Sequence, residues 1–171
     1  MTEIDNDRQR WLAERESYEH LARVIETIMA TAVRNSGVWC STESRAKETH
    51  SIVKKLLKGK HTYESMPDKA GARCVVRYVS DLEHVVGIAQ SELNCRAIDR
   101  KASGLGAEKL GYVSIHIDVG LNATHPAHAT FGAMRAELQI RTLAQHLWSE
   151  ISHDAMYKNE DTLAQIGVPR I

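Results

Sequence analysis

Cysteine, proline, glycine and phenylalanine are all scarce in this chain of 171 residues, which holds 3 Cys, 3 Pro, 10 Gly and 1 Phe. Cys40, Cys74 and Cys95 are odd in number and scattered, with no CxxC spacing, so neither a disulfide scaffold nor a cysteine zinc site is expected. No signal-peptide pattern precedes them, which leads us to expect a cytoplasmic protein with reduced thiols. Few Pro and Gly, no low-complexity tract and no repeat argue against disorder and against a solenoid. No apolar run approaches the ~20 residues of a membrane helix, so no membrane partner is expected. An excess of charge is missing as well: 22 Lys+Arg face 22 Asp+Glu, for a formal net charge of +0 with nine His neutral. That balance excludes a cationic nucleic-acid coat and an acidic tail, and leaves room for a local basic site. What is present, 43% hydrophobic residues, suits one domain over 1–171 that buries about two-thirds of its unfolded-chain surface.

Hydrophobic spacing divides the chain. Trp11, Tyr18, Leu21, Ile25, Ile28 and Ala32 recur at helical intervals and predict a long N-terminal helix from about Asp7 to Arg34 within residues 1–36. A short strand is expected over Val38–Ser41, then a helix from Ser44 to about Lys58, closed by Gly59. Ala72–Val79 reads as a buried strand, Asp81 as an N-cap, Leu82–Leu93 as a helix and Cys95–Lys101 as a strand. A loop is expected over Ala102–Leu110, around Gly104 and Gly106. Two alternating strands follow. One sets Tyr112, Ser114, His116 and Asp118 opposite Val113, Ile115, Ile117 and Val119; the other sets Glu137, Gln139 and Arg141 opposite Ala136, Leu138 and Ile140. A last helix from Thr142 to about Tyr157 carries Leu143, Leu147 and Ile151 on its apolar stripe, with His146, His153 and Tyr157 beside it. The class is α/β (α+β), a mixed sheet of about five strands flanked by helices.

Some residue types suit chemistry. With Lys47, Ser51 and Lys55 spaced by four, each steps only ~40° around a helix, so together with Arg45 they make a row suited to a polyphosphate, or else a solvated basic face. Asp68 before one strand and Glu137 on the polar face of another are candidates to share Mg²⁺, commonly held by one or two carboxylates plus substrate phosphates. The plain alternatives are a turn residue after Pro67 and a strand residue paired with a neighbouring Arg. Tyr112 beside a Gly-bearing loop suits stacking on a base, or half-buried packing.

Other signals fail. Gly106 and Gly111 have P-loop spacing, but Tyr112-Val113 stands where Lys-Ser/Thr is required, and Gly104-Leu105-Gly106 lacks the third glycine of a dinucleotide fingerprint. His125 and His128 have no metal-ligating partner at zinc spacing and read as exposed. His153-Asp154 has no second His/Asp set around it.

In order, these pieces resemble the nucleotidyl (synthetase) domain of the RelA/SpoT family of alarmone synthetases from about Val38 to Lys158. They are Arg45-x-Lys47-x-x-x-Ser51-x-x-x-Lys55, Asp68-x-x-Gly71-x-Arg73, Gly111-Tyr112-x-Ser114-x-His116, and Glu137-Leu138-Gln139-Ile140-Arg141-Thr142, followed by Trp148, His153 and Tyr157-Lys158. The resemblance implies a nucleotidyltransferase-like fold with its catalytic core over 38–158. It also implies a Mg²⁺-dependent pyrophosphokinase that moves the β,γ-pyrophosphate of ATP to the 3′-hydroxyl of GDP or GTP. By that likeness Arg45 and Arg73 flank the adenine, and Lys47, Ser51 and Lys55 hold the ATP phosphates. Asp68 and Glu137 place Mg²⁺, and Glu137 helps deprotonate the acceptor. Tyr112 stacks on the acceptor base, His116 contacts its phosphates, and Lys109, Ser114, Gln139 and His146 complete the acceptor site. Two departures stand out. Ala107-Glu108-Lys109-Leu110 replaces a Pro-Lys-x-Asn stretch, and His146 stands where Asp or Asn often reads guanine.

Those departures keep two other readings open: a toxin-like relative that modifies an adenine nucleotide or a tRNA 3′ end, and a nucleotide-binding module without turnover. Neutral charge disfavours tRNA, whose binding needs several Lys or Arg contacts to phosphate, and the paired carboxylates disfavour the inert module. Small synthetases of this kind usually continue into C-terminal helices used in oligomer assembly, so a homo-oligomer, a monomer and a fragment of a longer protein all stay open.

Overall fold

The computed structural model describes residues 2–59, 61–102 and 113–151. Helix α1 (Glu3–Asn35) opens with a capping box, in which Thr2 Oγ1 accepts from the Asp5 amide at 3.2 Å and the Thr2 amide donates to Asp5 Oδ2 at 3.0 Å. Such a box satisfies two otherwise orphaned donors. Trp11, Leu21, Ala22, Ile25, Met29 and Val33 of α1 are completely buried. The remaining elements are β1 (Cys40–Ala46), α2 (Thr49–Leu57), β2 (Ala70–Val76), α3 (Ser80–Glu92), β3 (Leu93–Ala102), β4 (Val113–Leu121), a single turn α4 (His128–Phe131), β5 (Ala136–Thr142) and a helical segment α5 (residues 143–151).

The five strands form one mixed sheet in the order β1-β2-β5-β4-β3, in which only the β2–β5 pair is parallel. Alternation turns one face of it toward α1 and α3. Ala70, Ala72, Cys74 and Val76 of β2, Ile115, Ile117 and Val119 of β4, and Ala136, Leu138 and Ile140 of β5 join the core there. Helix α1 lies chiefly over β1 and β2, where the alanines leave room for close approach. At the edge strand, Thr42 and Ser44 also point to α1, and both donate to the Glu26 carboxylate. Among the described residues no helix is long and apolar enough to cross a membrane.

Several expectations change. The helix expected from Ser44 begins only at Thr49, because Ser44, Arg45 and Ala46 pair with Ala72, Gly71 and Ala70 as the end of β1. Ladder bonds to β2 outweigh the local helical pattern there. Asp81 lies inside the first turn of α3, whose N-cap is Val79, so it is a first-turn anion rather than a cap. Leu143, Leu147 and Ile151 of α5 are 40%, 52% and 64% exposed among the described residues. What is buried instead is Gln145, whose side chain accepts from the Thr142 amide at 2.7 Å while Thr142 Oγ1 accepts from the Gln145 amide at 3.2 Å, forming the helix cap. His125 and His128 are half-buried rather than exposed, and His125 Nδ1 accepts from the Ala127 amide as a turn residue. The expected loop over 102–110 falls largely outside the described residues, as do His153, Asp154, Tyr157 and Lys158.

Candidate active site

The face of the sheet turned away from α1 is polar across its width. In register, Arg45 of β1 lies beside Gly71 of β2, which lies beside Glu137 of β5 and then Asp118 of β4. The next row runs Glu43, Arg73, Gln139 and His116. Period-two alternation puts these residues on one face, and strand order and register bring them side by side from four strands. Three linked groups result.

The first group sits at the corner where β1 gives way to α2. Lys47 Nζ and Lys55 Nζ grip the two oxygens of Asp68, at 2.7 and 2.8 Å, with all three side chains about three-quarters buried. Burial alone would raise the Asp68 pKa, but the two ammonium groups outweigh it and hold the carboxyl below its ordinary value. Lys47 is not on the helix with Lys55, as the four-residue spacing implied. It belongs to the corner itself, where its amide donates to the Lys69 carbonyl at 2.9 Å, and it reaches Asp68 from the other side. Ser51 lies one turn before Lys55 on α2, its hydroxyl 3.1 Å from His50 Nε2.

The second group surrounds Glu137. His116 Nδ1 lies 3.1 Å from Glu137 Oε2, a close polar contact without hydrogen-bond alignment, and Gln139 Nε2 donates to Glu137 Oε1 at 2.7 Å. Ser114 Oγ is 3.0 Å from the other ring nitrogen of His116. Burial pushes the Glu137 carboxyl up, while His116 and the Gln139 amide pull it further down, so it stays ionised below the ordinary range. The Asp68 charge is felt at Glu137 and works upward. That influence is the smallest of those acting on Glu137, and among the described residues no cluster of three or more His, Cys, Asp or Glu side chains surrounds either carboxylate. Among the described residues the contacts of the Glu137 carboxylate are thus His116 and Gln139.

The third group is an open cleft of about 380 Å³ bounded by Glu43, Arg45, Arg73, Gln139, Ser149 and Glu150. Its floor is Gly71. An added Cβ there would meet nothing closer than the Glu137 and Arg45 carbonyl oxygens at 3.8 and 3.9 Å, ordinary contact distances. Packing therefore tolerates a methyl group, and glycine's effect is to leave the floor flat between two guanidinium groups, which stack readily on planar rings. Arg73 Nη1 is held by Glu43 at 2.6 Å, lies 3.3 Å from His146 Nδ1 and comes within 3.6 Å of Glu150.

Glu43, Ser149 and Glu150 were missed in the sequence. Glu43 stands two residues before Arg45 and shares its face only if both lie on a strand. Glu150 was findable, since it lies one turn after His146 on the same helix. Lys109 and Tyr112 lie outside the described residues.

Comparison with known proteins agrees with this architecture. Residues 44–162 match the family described as a region found in RelA / SpoT proteins. GTP pyrophosphokinase YwaC of Bacillus subtilis is 33% identical over 134 residues, 73% of this chain and 62% of that relative. The chain thus spans less than two-thirds of that relative's length. The crystal structure of small alarmone synthetase 1 from Bacillus subtilis superposes with a TM-score of 0.70 at 22% identity, covering 89% of this chain and 81% of that one. The same protein bound to its product pppGpp gives a TM-score of 0.69 at 21% identity, over 88% and 83%. These structures share the fold of this chain.

Proposed function

The chain belongs to the RelA/SpoT family, and from that premise we propose that it is a pyrophosphokinase that moves the β,γ-pyrophosphate of ATP to the 3′-hydroxyl of GDP or GTP and releases AMP. The observation that carries this reading is the continuity of the polar face, on which a guanidinium cleft, a pair of phosphate-type lysines and two ionised carboxylates follow one another. The relatives with this fold include one solved with pppGpp.

In this reading the adenine lies between Arg45 and Arg73 over Gly71, and the triphosphate runs toward Lys47, Ser51 and Lys55. The lysines exchange Asp68 for phosphate oxygens, which frees the Asp68 carboxylate. Asp68 and Glu137 are the residues that would hold Mg²⁺, since both are ionised oxygen donors and Mg²⁺ is commonly held by one or two carboxylates together with substrate phosphates and water. When bound, Mg²⁺ supplies neutralisation of charge on the transferring group. Glu137 accepts the proton of the attacking ribose hydroxyl, with its carboxylate oriented by His116 and Gln139. Ser114, His116 and Gln139 line the acceptor side, joined by Lys109, Tyr112 and His146 by family likeness. Because such a reaction depends on positioning and charge compensation, the rigid sheet is a suitable platform. We read the protein as cytoplasmic, because its proposed nucleotide substrates are found there.

The test uses ATP labelled at its γ-phosphate, with Mg²⁺ and, separately, GDP, GTP, no added acceptor, and deacylated tRNA. Label on GDP or GTP with matching AMP release is expected. Label confined to tRNA or to an adenine nucleotide would replace the acceptor in this reading, and no AMP release in any arm would reduce the protein to a binding module.

A further inference from the structure

Lys69 follows the site carboxylate Asp68, yet it turns the other way and is only 6% exposed. Its ammonium lies 4.2 Å from the ring centroid of Tyr63 and 4.9 Å from that of Tyr18, and donates to the Tyr63 carbonyl at 3.0 Å. Arg10 stacks on Tyr63 too, at 4.4 Å, so this ring carries two cations. The Tyr63 hydroxyl donates to Glu14 at 2.7 Å, and Glu14 also accepts from Arg10 Nε at 2.9 Å. Arg10, Glu14 and Tyr18 belong to α1, so this cage fastens the segment leading into β2 onto the long helix.

A buried ammonium is a costly filler, since an apolar side chain of the same volume occupies such a place without a desolvation penalty. What a caged cation adds is direction. Contacts with ring faces and a carbonyl fix where the chain must pass, as a greasy contact does not. On the same residue the Lys69 carbonyl accepts from the Lys47 amide at 2.9 Å. Lys69 is thus held at both ends, and the two residues it holds, Asp68 and Lys47, are ion-paired at 2.7 Å.

We propose that Lys69 is a positioning residue for the site: anchored between Tyr18 and Tyr63, it sets the backbone that aims Asp68 at the phosphate and metal position. The inference rests on reading Asp68 as a metal-holding carboxylate. Losing the cage keeps the backbone bond from the Lys47 amide to the residue 69 carbonyl, so Lys47 and Lys55 still meet phosphate, but it lets Asp68 drift. The loss should therefore appear in the metal dependence of nucleotide binding rather than in nucleotide binding as such.

The measurement is calorimetric binding of α,β-methylene ATP with and without Mg²⁺. The readout is the factor by which Mg²⁺ tightens binding. Residues that support metal ligands from behind typically change metal affinity by about tenfold or more when lost, so Lys69→Met should reduce that factor by about tenfold while metal-free affinity stays near that of the wild type. Lys69→Arg, which keeps a cation able to stack, should retain most of it, and so should Tyr63→Phe, which keeps the ring. A Lys69→Met variant that is merely less heat-stable, with the wild-type Mg²⁺ factor, overturns the proposal. Should that variant not fold, Tyr63→Leu opens the cage from the other side and is read in the same way. If the wild type transfers no pyrophosphate to any acceptor, the functional reading fails, and the Mg²⁺ factor still decides for or against Lys69.

Discussion

On β5, Ala136, Leu138 and Ile140 have no exposed surface, while Glu137 between the first two keeps 21% of its side chain accessible and carries a charge. Neighbouring strands repeat the contrast. Ile115 and Ile117 of β4 are buried and flank His116, whose side chain keeps 16% accessible, and Ala72 and Cys74 of β2 flank Arg73, which keeps 20%. The two faces of one sheet thus use the same backbone for different purposes. The apolar face needs only volume and shape, so neighbouring hydrophobic residues can replace one another with modest loss. The polar face needs particular atoms in particular places, because each buried charge there is tolerated only through its partner. Alternation couples the two: the core face holds the strands still, and the charged face inherits that stillness as preorganisation.

The contrast can be broken from either side. The largest effect is expected for Glu137→Gln, which keeps shape and removes the charge. Transfer should fall by about a thousandfold or more if a general base and charge stabiliser is lost, with metal-free ATP affinity and melting temperature close to wild type. Near-wild-type turnover would refute the role. On the opposite face, Leu138→Ala should cost about 2–5 kcal/mol of stability by urea unfolding through the cavity it leaves, with Michaelis constants unchanged wherever the protein remains folded. Equal damage to catalysis and stability would show that the faces are not separable.

Asp68→Asn joins the two kinds of effect. It leaves Lys47 and Lys55 facing each other without their shared anion, which should lower stability near neutral pH by about 1–3 kcal/mol. The Asp68 pKa in the folded protein lies below its ordinary value of 3.8, so its contribution is complete above that value and fades as pH falls through the lower native one. The gap between wild type and variant should accordingly close under acid, and a gap that persists there would assign the loss to packing. The smallest effect on the fold is expected for Gly71→Ala. Since a methyl group meets only ordinary contacts, stability should change by less than about 1 kcal/mol. ATP binding should nonetheless weaken measurably as the cleft floor rises, and unaltered binding would move the base away from that floor.

Much of this organisation was legible because periodicity is a local property. The alternation at Ser114–Val119 and Ala136–Arg141, the helical spacing of α1 and the order of the site motifs all follow from which neighbour lies two, three or four residues away. The same logic failed around Lys47. The spacing of Lys47, Ser51 and Lys55 matches a helix, but Ser44–Ala46 gain more by pairing with Ala70–Ala72 on a strand far off in sequence. Glu43 was hidden by that misassignment, and the exposure of Leu143 and Leu147 by a cap in which Thr142 and Gln145 satisfy each other's amides.

The sequence by itself determined the strands' two-sidedness, the long leading helix and the identity of the charged side chains available for chemistry, since these depend on residue type and short-range spacing. Only the tertiary structure decided that Asp68 bridges two lysines from different elements, that Gly71 is the floor between Arg45 and Glu137, and that a buried Lys69 ties the corner to α1. Each of those results from strand register and long-range packing, whose energies depend on partners tens of residues away and leave no period in the chain.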